Sequence, residues 1–267
     1  YGGSGYGLLA LVRAGEVMQQ QNQLEGWLMR LEELGRAGER EKAVTRWARA
    51  AALMRAGRGE EAERVVGEGS GGEVAPQAGG YVMALRAGIE NARGRFGEAE
   101  RLAREAVTAC EAKNFGLDEA LFQLGRALVM QKKWGEANEV YGRLLKECVI
   151  PNAEVNAIAL LDRAESLMEL EETDEVVGLC DEALRLRPRF AIAARAVLMK
   201  GDAMMRRNEY QKAAQYYKRA VTLYGRMREY AIPAYRGLIT AYTKLGLTEE
   251  AGATRAQFKQ RYPDATE

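Results

Sequence analysis

The sequence predicts an all-α protein, a right-handed superhelix (solenoid) of antiparallel helix pairs, and three observations carry that prediction. The 267 residues are rich in Ala, Leu, Glu and Arg, with five prolines and few β-branched residues, a composition that favours helix over strand. A short pattern recurs six times at a near-constant interval. Each copy follows a second helical run through about four turn-forming residues, a length that makes the two helices antiparallel neighbours. A stack of small units also removes the size limit that a single core of this length would meet.

The pattern is clearest in WGEANEVYGRLL (134–145). It aligns with FGEAERLAREAV (96–107), TDEVVGLCDEAL (173–184), YQKAAQYYKRAV (210–221) and LTEEAGATRAQF (247–258), and GEEAERVV (59–66) supplies an earlier copy. One small apolar residue anchors each copy: Ala62, Ala99, Ala137, Val176, Ala213 and Ala251. Their spacings, by subtraction, are 37, 38, 39, 37 and 38 residues. Ahead of Ala137 runs LFQLGRALVM, with Leu121, Leu124 and Leu128 at helical intervals. Gly125 and Gly201 each stand twelve residues before their alanines, Ala137 and Ala213. A glycine inside a helix costs about 0.5–1 kcal/mol relative to alanine, so these glycines are expected to make room for a neighbouring helix.

Residues 1–45 lie outside this register and are expected to form an N-terminal helical cap or docking region, with the superhelix occupying 46–267. LEGWLMRLEEL (24–34), after MQQQNQ, puts Leu24, Trp27, Leu28, Leu31 and Leu34 on one face. That face suits a cap over the open end of the stack. It also suits a partner-docking or coiled-coil helix, which makes it a candidate homo-oligomerisation surface. GEGSGGEVAPQAGG (67–80) reads as a long inter-repeat loop, because the spacing from Ala62 to Ala99 runs through it unbroken.

Small residue, twelve-residue gap, alanine, a large residue four on and a small or apolar one seven on: this order resembles the tetratricopeptide repeat (TPR) family. It stands as Gly125, Ala137, Tyr141 and Leu144 in one repeat and as Gly201, Ala213, Tyr217 and Ala220 in another. The resemblance covers about 46–263, in repeats longer than the family's usual unit. It implies a solenoid whose core includes Gly125, Ala137, Tyr141, Gly201, Ala213, Tyr217 and Ala251. The ending FKQRYPDA is similar to repeat ends in bacterial envelope TPR proteins of the outer-membrane-assembly and Tol-Pal-associated types, a hint of the periplasm, with the cytoplasm as the alternative.

Composition bounds the function. Histidine is absent, which removes His general acid/base chemistry, His-dependent nucleophiles and His-containing zinc sites. Net charge is +1, and gives no general attraction to nucleic acid or anionic membranes. The one basic, tyrosine-rich stretch, from Arg206 to Arg236, places Tyr210, Tyr217 and Tyr235 on repeat core positions. No apolar run reaches the roughly 18 residues needed to span a bilayer, and GLLALV (7–12) is short even for a signal-peptide core. The chain opens on Tyr1, which reads as a processed or excised form. Gly67, Gly69 and Gly72 satisfy a dinucleotide-binding spacing but follow a repeat helix, where that motif needs a strand. Cys110, Cys148 and Cys180 lack metal-ligand spacing and read as free thiols. The sequence therefore points to no metal, no cofactor and no catalysis.

On a solenoid of helix pairs the first helix of each repeat lines the concave wall. The register places Phe122, Arg126, Glu165, Met168, Asp202, Met205, Arg206 and Arg236 there as candidate partner-binding residues. Trp47, Ala51 and Met54 are their earliest counterparts. The positions that hold Lys and Asn in TPR proteins gripping a C-terminal carboxylate hold neither here, so that clamp is excluded. Methionines suit adaptable contact with an amphipathic helix or extended apolar peptide, though the same apolar side chains would also serve packing between repeats. The expected function is a non-catalytic scaffold or adaptor binding a peptide or partner domain. The alternative is a regulatory or sensor module of a larger protein binding a small effector.

Overall fold

The computed structural model describes residues 23–35, 46, 48–50, 52–54, 56, 58–67, 79–113, 116–148, 150 and 153–265. The apolar run at 7–12, most of the glutamine-rich stretch, Trp47, Ala51 and most of the glycine-rich segment lie outside them. The described residues hold twelve helices and no strand. They are α1 (Leu24–Gly35), α2 (Gly59–Gly67), α3 (Gly79–Ala92), α4 (Phe96–Lys113), α5 (Leu117–Met130) and α6 (Trp134–Glu147). There follow α7 (Ala153–Glu169), α8 (Val176–Arg185), α9 (Phe190–Arg206), α10 (Tyr210–Tyr224), α11 (Arg228–Lys244) and α12 (Thr248–Arg261). Residues 48–50 and 52–54 are helical as well. No helix is long and apolar enough to cross a membrane among the described residues.

The chain forms two compact units, residues 1–133 and 134–267. In the first, α4 packs against both α3 and α5, and α3 touches α5 directly. Trp27 and Leu28 of α1 are buried in one cluster with Ala48, Leu53, Ala62, Tyr81 and Leu85. Carboxylates on the exposed helix faces are paired within one turn: Arg101 bridges Glu98 and Glu105, and Arg104 holds Glu100.

In the second unit each helix from α6 to α12 packs on the next in the chain. The first helices of successive repeats also touch, α7 with α9 and α9 with α11, whereas among the described residues α8, α10 and α12 make no such contact with one another. Crowding on the first-helix side makes it the inner side of this unit. The core contains Ala157, Leu160, Ala183, Ala213, Tyr217, Ala220, Tyr235 and Phe258.

Five first helices end in the same way. Gly94, Lys132, Glu171, Asn208 and Gly246 have positive φ, between 58 and 74°. Each stands five residues before an anchor, Ala99, Ala137, Val176, Ala213 or Ala251. The N–H of each donates back to a carbonyl three residues earlier, and that of the following residue to one five earlier, as in Glu171 to Met168 and Glu172 to Leu167 (2.9 Å). This is the Schellman termination, whose left-handed residue is usually glycine. Three of the five positions carry a β-carbon that this backbone disfavours by about 1–2 kcal/mol. Glu171 is exposed, so Glu171→Gly is expected to stabilise the protein by about 0.5–1 kcal/mol. A urea midpoint that stays put or falls would show that the turn is not strained.

Candidate functional site

On α9, Arg195, Met199, Asp202 and Arg206 recur at intervals of three and four residues and so share one face. Glu165, Met168 and Glu169 do the same on α7, and Gly237 and Thr240 on α11. These faces meet in a cleft of about 550 Å³ on the inner side of the second unit, completed by Met205 and by Tyr217 from α10. Gly237 opens the cleft floor to the Tyr217 ring. A β-carbon there would lie 2.4 Å from that ring, and one at Gly201 would lie 2.6 Å from it. The ring is wedged between two first helices, α9 and α11. At Gly201 the room expected for a neighbouring helix is thus taken by a side chain of that helix, the Tyr217 ring of α10.

Electrostatics order the cleft. Asp162 is buried and accepts from both sides: the Tyr141 hydroxyl donates to Oδ2 at 2.9 Å, and Arg195 Nη1 donates to Oδ1 at 2.6 Å. Arg195 also pairs with Glu165. Burial opposes the charge of Arg195, but the two carboxylates outweigh it and hold the guanidinium above its usual range. Arg206 donates to the Met168 carbonyl and pairs with Glu169 at 2.8 Å. Lys200 faces the other way, with Nζ 2.6 Å from Asp181 and 4.4 Å from the centre of the Tyr216 ring. Asp202 Oδ1 accepts the Tyr217 hydroxyl at 2.7 Å. Burial raises the pKa of Asp202, against the Tyr217 hydrogen bond and the charge of Arg206. Burial and the Asp202 charge push the Tyr217 phenol up as well.

Of the eight candidate partner-binding residues, the cleft brings together Glu165, Met168, Asp202, Met205 and Arg206. Arg236 is exposed beside Gly237, outside the lining. Phe122 and Arg126 belong to the first unit, where Phe122 is buried and the exposed Arg126 guanidinium lies 6.0 Å from its ring. Val129, on the same face, is half-buried. Asn91 is buried and donates to the Gln123 carbonyl at 2.9 Å and to its side-chain oxygen at 3.1 Å. Gly125, Ala137, Tyr141, Gly201, Ala213, Tyr217 and Ala251 are all buried.

Sequence reasoning missed Asp162, Glu169, Arg195, Met199 and Gly237. Arg195 stands seven residues before Asp202, two turns along the same face, a spacing that could have found it. The three cysteines are free thiols, and burial pushes Cys180 up to about 12, far from a reactive thiolate. Among the described residues no group of His, Cys, Asp and Glu side chains is placed to hold a metal ion.

Residues 119–148 match the family model of the tetratricopeptide repeat. No curated protein matches the sequence. Among solved structures, the chain is similar to the apo form of the quorum sensor NprR from B. thuringiensis, with a TM-score of 0.75 and 14% identity. That match covers 97% of this chain and 76% of that one. A signal-transduction ATPase with numerous domains and a tetratricopeptide repeat sensor, from Pyrococcus horikoshii, matches with a TM-score of 0.71 and 15% identity. There 96% of this chain is covered, but the chain spans only 40% of the ATPase. The C-terminal part of a TPR repeat-containing protein from Cytophaga hutchinsonii matches at 0.59 and 12% identity over 96% of each chain. At these identities the likeness concerns the fold, and together with the repeat match it establishes a TPR-type helical-repeat solenoid.

Proposed function

We propose that this chain is a non-catalytic interaction module that binds a peptide segment or partner domain along the inner faces of its first helices. The observation that carries the reading is the cleft between α7, α9 and α11, whose walls combine three methionines with fixed charges. Thioether side chains adapt to varied apolar surfaces, and a groove between helices takes extended or helical segments. Arg126 and Arg236, both exposed, are proposed as further contacts, each within its own unit, while the buried Phe122 packs beneath Arg126. Neither nucleic acid nor a membrane has a recognition surface in this reading. The ending FKQRYPDA supports an envelope location, which fractionation of the native cells would test.

Two single variants test the module. Met205→Glu and Arg126→Glu are each expected to lose at least about tenfold in partner affinity while far-ultraviolet circular dichroism is unchanged. Lys218→Glu, on the exposed side of α10, is expected to bind like the wild type. Partner capture that is indifferent to both inner-face variants, yet lost with Lys218→Glu, would reverse the assignment.

A second reading is favoured by the neighbours that are themselves sensors. A cleft of about 550 Å³ also falls within the range of small-molecule sites. In that case the chain is a sensor module of a larger protein, and a metabolite would raise its melting temperature in a thermal-shift screen.

A further inference from the structure

The cleft in the second unit has a charge imbalance centred on one side chain. With Asp162 counted beneath Arg195, four carboxylates (Asp162, Glu165, Glu169 and Asp202) meet two guanidiniums, Arg195 and Arg206. Both guanidiniums are committed, Arg195 to Asp162 and Glu165, and Arg206 to Glu169 and the Met168 carbonyl. Lys200, two residues from Asp202, is bound to Asp181 away from the cleft. Asp202 itself has no ion pair among the described residues; its one hydrogen bond comes from the neutral Tyr217 hydroxyl.

A carboxylate held in this state gains from any cation that reaches it, because the surroundings are only partly solvated and the attraction is weakly screened. The walls beside it are the thioether side chains of Met168, Met199 and Met205. Such walls suit the aliphatic stem of a long cationic side chain better than a hydrated metal ion, which would need several oxygen ligands. Gly237 leaves room for the Tyr217 ring, whose hydroxyl holds the Asp202 carboxylate at the cleft.

We infer that the second unit reads a basic anchor: a peptide side chain ending in an ammonium or guanidinium group, seated on Asp202 and flanked by apolar residues against the three methionines. This rests on the peptide-binding reading above and adds the chemical class that the cleft selects. The specificity is set by Asp202, and the Tyr217 hydroxyl fixes the orientation of its carboxylate.

The test is selection from a library of random octapeptides displayed on phage, using the full chain as bait, in parallel with the Asp202→Asn variant. Asparagine retains an acceptor for the Tyr217 hydroxyl and removes the charge, and circular dichroism checks that the variant is folded. Wild type is expected to enrich peptides with one Lys or Arg flanked by Leu, Ile, Met or Phe. Synthetic copies of these are expected to bind Asp202→Asn about tenfold or more weakly, with the apolar preference retained. Capped lysine, Nα-acetyl-lysine amide, is the competing free-amine probe and is expected to displace them only at far higher concentration. Enrichment of apolar peptides without a basic residue, equal binding by Asp202→Asn, or capped lysine matching the peptides would overturn the inference and leave peptide binding standing. No enrichment by the wild type would overturn both.

Discussion

Tyr217→Ala is expected to destabilise the second unit by about 3–5 kcal/mol, the cost of deleting a fully buried aromatic side chain. The ring is 2% exposed and is held between Gly201 of α9 and Gly237 of α11. Neither glycine has a side chain that could move into the void, so the cavity would persist. Tyr217→Phe separates the ring from its hydroxyl. It keeps the wedge, removes the donor to Asp202, and is expected to cost only about 1 kcal/mol. Urea unfolding followed by circular dichroism measures both. Similar losses from the two variants would mean that the hydroxyl, not the wedge, holds the helices together.

The second large effect is expected at Arg195. Arg195→Met removes the partner of Asp162, which is 7% exposed, and a buried charge stripped of its counter-ion costs about 3–5 kcal/mol. The Tyr141 hydroxyl at 2.9 Å would be the remaining side-chain donor to that carboxylate. Adding Asp162→Asn neutralises the orphaned charge and leaves an acceptor for Tyr141, so the double variant is expected to regain most of the loss. If the double variant is as unstable as Arg195→Met, packing of the arginine stem and not charge pairing sets the cost.

The architecture was legible because the repeat imposes small residues at fixed places. The spacings read from Ala99 through Ala251 reappear in the positions of the left-handed turn residues, five residues ahead of each of these anchors. The turns themselves were harder to read: glycine marks only Gly94 and Gly246, whereas Lys132, Glu171 and Asn208 adopt the same conformation without the usual residue. At the site, the register singled out the face carrying Asp202 and Met205, since helical position follows directly from sequence spacing. Partnership was not legible. Arg195 is tied to Asp162 33 residues away, and Gly237 faces a tyrosine on another helix. Such pairings depend on how three helices are placed against each other, which periodicity along one chain does not specify.

A peptide bound on the inner face of α7, α9 and α11 would be felt first by the methionine methyls there, which methyl NMR reads one by one. The sequence has ten methionines, and Met168, Met199 and Met205 line the cleft while Met130 in the first unit is 56% exposed. The protein, carrying ¹³C-methyl methionine, would be titrated with the tightest peptide from the library selection. Concerted shifts of Met168, Met199 and Met205 are expected. Shifts confined to Met227, at the N-terminal end of α11 and outside the cleft lining, or to Met130, with the three cleft methyls silent, would place the binding surface elsewhere.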